Sequence, residues 1–136
     1  MTNDSGGGIC GAWCHSGVWN GSNDRVIESD TVSGVHLGYG SDCRNADQSV
    51  VLRATSGSVN GTVVRNWAYI QFGDPYNYNC CDEANRGAFY CSHLNWASFM
   101  DTYSIDMDSN PTSPCDTVFA EEVYWDSDNY IVSFGN

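Results

Sequence analysis

An all-β or β-dominated fold is expected for these 136 residues: one small disulfide-stapled β-sandwich or compact β-barrel, with room for one short helix. Three observations lead there. Twelve Val against three Leu, with seven Thr and eight Tyr, favour strands, while helix formers are scarce, with two Gln, four Glu and no Lys. Fourteen Gly and two Asn-Gly pairs supply turns. Seven cysteines, none in a CxxC pair, imply an oxidising compartment and three intrachain bridges. The protein is therefore expected to be secreted. The odd cysteine is left free or joins a second copy, so a disulfide-linked or non-covalent homodimer is among its partners.

Residues 1–8 are polar and Gly-rich and read as a disordered lead-in, with 9–136 as a single β domain. Residues 9–23 read as a loop pinned by Cys10 and Cys14. Arg25–Glu28 and Val32–Tyr39 are short strands. Val50–Thr55 and Thr62–Phe72 are the clearest strands, joined by a hairpin through Ser56-Gly57 and Asn60-Gly61. The second of them alternates, with Arg65, Trp67 and Tyr69 on one side and Val64, Ala68 and Ile70 on the other. Residues 74–87 form a loop in which Cys80-Cys81 sends two bridges in different directions, since adjacent cysteines rarely bond each other. Ala88–Ser92 reads as a strand and His93–Tyr103 as a short helix or a strand. Val118–Trp125 and Tyr130–Phe134 form a terminal hairpin, although Glu121-Glu122 also permits a helix in its first arm.

Charge narrows the partners. The formal net charge is −12, and such a field repels phosphate backbones, which excludes nucleic acid. No apolar run is long enough to span a membrane. The absence of lysine has two readings: an acidic, salty habitat, or a toxin or effector without sites for lysine modification.

Several constellations invite chemistry. Cys10-Gly11-Ala12-Trp13-Cys14 resembles the Cys-Gly-x-Cys-Trp element of papain-like cysteine peptidases, with the second Cys and the Trp transposed. Gly34–Gly40 resembles that family's His strand but falls too early in the chain. The chain is also short for a two-lobed enzyme, so the resemblance carries no catalytic role over. His15, His36 and His93 share no ligand spacing, and a nucleophilic cysteine would need a free thiol beside one of them. Asp106-Met107-Asp108-Ser109-Asn110 begins like an EF-hand loop, but Pro111 and Thr117 occupy the positions of its Gly and Glu. A looser calcium site is open to Asp106 and Asp108, or to Asp126 and Asp128. Of the four Glu, Glu121 and Glu122 would point to opposite faces of a strand, and Glu28 has no indicated partner acid.

Five Trp and eight Tyr exceed what a small core needs. Trp67, Tyr69 and Arg65, with Trp125 and Tyr130, would make a platform for stacking sugars. The expected function is thus a non-catalytic recognition protein that binds a glycan or a host surface protein through exposed aromatics. A toxin or effector with hydrolytic activity at a His-centred site is the alternative. An assembly subunit linked through its odd cysteine is the third.

Overall fold

The computed structural model describes residues 2–3, 13–46, 48–108 and 117–135. The elements run β1 (Thr2–Asn3), β2 (Val18–Trp19), β3 (Arg25–Asp30), β4 (Gly34–Tyr39), α1 (Gly40–Arg44), β5 (Gln48–Ala54), α2 (Gly61–Ile70), α3 (Cys91–Tyr103), α4 (Ala120–Trp125) and β6 (Asn129–Gly135). The fold is mixed α/β, with two small open sheets ordered β1-β5-β6 and β2-β3-β4, all pairs antiparallel. This overturns the all-β sandwich or barrel. Thr2–Asn3, inside the expected lead-in, pair with β5.

The largest departure from the sequence expectation is α2, a helix where the alternation over Thr62–Phe72 predicts a strand. Val64 and Ala68 are buried, and a spacing of four puts them on one side in a strand and in a helix alike. The deciding positions are Asn66 and Ile70, which a strand would bury beside them. Both are exposed, Ile70 by 78%. Asn60, read as a hairpin turn, is instead the N-cap: its side chain accepts a hydrogen bond from Thr62 N–H at 2.9 Å. At the other end Gly73, at φ 89°, leaves the helix and donates to Val35 O, while Val35 N–H donates to Asp74 O, tying the exit of α2 to β4.

The terminal hairpin is likewise replaced. Phe119 N–H donates to Glu122 Oε2 at 2.7 Å, closing the first turn of α4. β6 pairs with β5 instead, Leu52 opposite Ile131, with a register shift between Val51 and Leu52.

The disulfide framework is overturned as well. Cys14, Cys43, Cys80 and Cys91 are free thiols, and no bridge joins two of the described residues; Cys81 alone among them is disulfide-bonded. Four free thiols of seven cannot leave three bridges, and Cys80-Cys81 is no covalent hub. The domain is held by packing instead. Ile27 of β3, Leu94 and Ala97 of α3, Val123 of α4, and Phe89 and Val118 just ahead of those two helices form a continuous core with Val64 and Ala68 of α2.

Two polar moorings fix the start of α3. Ser29 Oγ–H on β3 donates to Phe89 O at 2.6 Å, and Ser92 Oγ–H donates to Val118 O at 2.6 Å. Val118 N–H in turn donates to Tyr90 Oη at 3.0 Å. These buried hydrogen bonds hold the first turn of the helix against β3.

Candidate active site

Cys91 is the first residue of α3, directly after the N-cap Tyr90. The N–H groups of a helix's first turn lack intrahelical partners and carry the positive end of its dipole, which favours an anion there. The Cys91 side chain hydrogen-bonds His15, and the backbone N–H groups of Ser16 and Ser92 point at it. Burial alone would push this thiol up. The hydrogen bond and charge of His15, with the two N–H groups, more than offset that and hold it below the ordinary thiol value.

On its other side the His15 ring donates from Nε2 to Glu28 Oε2 at 2.6 Å. With Nε2 so engaged, Nδ1 is the ring nitrogen left for the thiol. Burial would lower the imidazole, but Cys91 and Glu28 together raise it to about 10. Thiol down and imidazole up are two sides of one interaction, in which the charged form of each stabilises that of the other and the carboxylate orients the ring. The three side chains come from the lead into β2, from β3 and from α3.

Glu28 belongs to a wider cluster. In the β3–β4 register it stands opposite His36, while Asp30 is opposite Gly34 and Val26 opposite Gly38. Residues opposite one another share a face, so Glu28, Asp30 and His36 lie together. His36 Nδ1–H donates to Gly34 O at 3.0 Å, which leaves Nε2 facing Glu28 Oε1 at 3.5 Å and Asp30 Oδ2 at 3.6 Å. Glu28 is thus held from both sides, with only 14% of its side chain exposed.

The third histidine is elsewhere. His93 is fully buried in the first turn of α3, where Nε2–H donates to Glu83 O at 2.8 Å and the ring packs among Phe89, Tyr90 and Trp96. Burial first, then the neighbouring Arg86 charge, lower it to about 4, so it is neutral near pH 7.

The residues chosen for a sugar platform do not share a strand face. On α2, Arg65 and Tyr69 lie one turn apart, and both reach Asn20: Arg65 Nη1–H donates to its carbonyl at 3.3 Å and Tyr69 Oη–H to its Oδ1 at 2.9 Å. Trp67 packs edge-to-face on Phe89, 6.0 Å between centroids. Trp125, 70% exposed, ends α4, and Tyr130 stands on β6 opposite Arg53. Of the calcium candidates, Asp106 Oδ1 accepts from Trp96 Nε1–H at 2.9 Å and from Asp108 N–H at 3.1 Å, and Asp126 Oδ1 accepts from Asp128 N–H at 2.7 Å. Cys10, Pro111 and the residues around them lie outside the described residues.

Sequence reasoning missed Cys91 and the partnership of Glu28. The signal was there in part: a cysteine at the junction of an apolar strand-like run and a helix, and two short strands whose pairing sets Glu28 against His36.

No protein-family model matches the chain. The uncharacterized protein YycO of Bacillus subtilis is 34% identical over 101 residues, which cover 71% of this chain and 40% of YycO; the chain thus spans well under half the length of that relative. Among solved structures, the metalloprotein yiiX from Escherichia coli O157:H7 (DUF1105) superposes with a TM-score of 0.67 over 90% of this chain and 83% of its own, at 17% identity. The fold is that of yiiX. The non-catalytic, glycan-binding or host-surface reading is thereby overturned: the fold is not a β-sandwich, and its aromatic strand is a helix.

The yiiX structure is named a metalloprotein, so the donor set of this chain bears on metal binding. Among the described residues no group of three or more His, Cys, Asp or Glu is placed to hold an ion. His15 and Glu28 are spent on each other. No step below passes through a metal.

Proposed function

We propose that this chain is a cysteine hydrolase acting on an acyl carbonyl, an amide or an ester, through a thioester on Cys91. The observation that carries this reading is the chain of contacts from Cys91 to His15 to Glu28, with the thiol at the first turn of a helix. It is the hydrolytic, His-centred alternative given a nucleophile.

The chemistry follows from the pair. The Cys91 thiolate attacks the carbonyl carbon, forming the C–S bond while the carbonyl π electrons move to oxygen. The positive end of the α3 dipole, at whose first residue Cys91 sits, favours that developing negative charge. Collapse breaks the bond to the leaving amine or alkoxide, which takes a proton from the His15 imidazolium. Neutral His15 then takes a proton from water, the hydroxide adds to the thioester carbonyl, and the thiolate leaves as the acid is released. The pair is restored. Glu28 holds the ring in place throughout and stabilises its charged form.

The test uses p-nitrophenyl acetate as a minimal acyl donor. The expected result is a burst of nitrophenol and an acetyl group on the Cys91 peptide by mass spectrometry, both lost in Cys91→Ser. Acetylation spread evenly over Cys14, Cys43, Cys80 and Cys91, or an undiminished burst in Cys91→Ser, would overturn the reading.

A further inference from the structure

We infer that Gly38 is a positioning residue for this site: the missing side chain on β4 is the space in which the Glu28 carboxylate sits to reach His15. The inference rests on the proposed role of the Cys91–His15–Glu28 chain and adds to it a residue without a polar side chain.

The geometry is specific. Gly38 stands opposite Val26 in the β3–β4 register, so a side chain there would rise on the face that carries Glu28 and His36. A Cβ built at Gly38 would overlap Glu28 Oε1 and come within 2.6 Å of Cδ and 3.3 Å of Cγ. All three nearest atoms belong to Glu28. No backbone atom is among them, and Gly38 is not in the left-handed region that glycine alone favours. Backbone strain therefore does not call for glycine at this position. The carboxylate does.

Gly17 shows the contrast. A Cβ there would meet Val26 Cγ1 at 2.5 Å and the backbone oxygen of Ile27 at 2.9 Å, so that glycine lets β2 approach β3. Gly17 serves the sheet and Gly38 serves one side chain. A Glu is flexible, so a methyl at Gly38 leaves the fold an easy escape: the carboxylate swings aside. The escape carries it away from Nε2 of His15 and from His36, both of which it now faces. The loss falls on the chemistry, where a displacement of about 1 Å costs about 100-fold in rate.

The experiment follows the His15 ring nitrogens by NMR across pH in the wild type, Gly38→Ala, Glu28→Gln and the double variant, beside the rate of Cys91 alkylation by iodoacetamide at neutral pH and the melting temperature. In the wild type His15 should keep its proton well above the usual imidazole range. Gly38→Ala should lower that titration as far as Glu28→Gln does, slow alkylation with it, and leave the melting temperature within a few degrees, about what a surface substitution gives. The double variant should give the same His15 titration as Glu28→Gln alone, because the charge whose position the methyl disturbs is already gone. A Gly38→Ala protein that titrates like the wild type, or a double variant whose His15 titrates differently from that of Glu28→Gln, would overturn the role of Gly38. A wild type whose His15 titrates as an ordinary imidazole would instead overturn the ion pair and the hydrolase reading with it.

Discussion

Cys91 and Cys43 show how environment separates two thiols of one chain. Cys43 on α1 is pushed up by burial and by the negative charges of Glu28 and Asp42, so it stays protonated. Cys91 is pulled down by His15. At neutral pH iodoacetamide should therefore label Cys91 well before Cys43, which peptide mapping at short times checks; equal labelling would contradict both assignments. The pH profile of acyl transfer should rise as the thiol ionises, below the ordinary thiol range, and fall as His15 gives up its proton near pH 10. His93 makes an opposite, purely structural prediction. Its folded value lies below its unfolded one, so the unfolded chain binds its proton first as pH falls. Stability should drop between about pH 6.5 and about pH 4, by up to about 3 kcal/mol, and level off below. Urea titrations across that range would show it. His93→Gln, which keeps a donor for Glu83 O, should remove most of this slope.

At the scale of elements, α2 depends on its cap. Asn60→Ala removes the acceptor for Thr62 N–H and should cost about 1 kcal/mol by urea unfolding. Alkylation of Cys91 should be unchanged, since α2 contributes nothing to the site; a parallel loss of thiol reactivity would show that it does. The same helix marks what was legible in the sequence. β3, β4 and β5 were readable because Val-rich runs lay between polar turns, and the pairing of β3 with β4 already places Glu28 beside His36. α2 was not, because Val, Thr, Trp and Tyr carry strand propensity and the buried pair Val64 and Ala68 fits both periods. Tertiary burial decided against local preference. Cys91 was hidden for another reason. Among seven cysteines it reads as one more staple, its place at the start of a possible helix is only a partial signal, and nothing local shows that His15 arrives beside it.

For the whole molecule, charge and covalent links make separate predictions. A net charge of −12 on 136 residues repels itself in the folded state. Moving from about 0.01 M to about 0.15 M salt shortens the screening length from about 30 Å to about 8 Å and should raise the melting temperature. No change would mean that the carboxylates are already locally compensated. With Cys81 the only bonded cysteine described, reduction should cost one bridge, about 2–4 kcal/mol, where a three-bridge scaffold would lose several times that. Melts with and without reductant distinguish the two.

The separation of the three site residues along the chain bears on when the protein becomes reactive. His15 and Glu28 lie near its beginning, and Cys91 lies far beyond them, on a helix docked through Ser29 and Val118. A newly made or misfolded chain thus carries only ordinary thiols, harmless to the acyl compounds around it. Reactivity arrives late, as a property of the finished core. Thiol labelling of Cys91 followed through a urea titration should then vanish together with the folded state, and labelling that outlives the core would show that the docking of α3 is not what creates it.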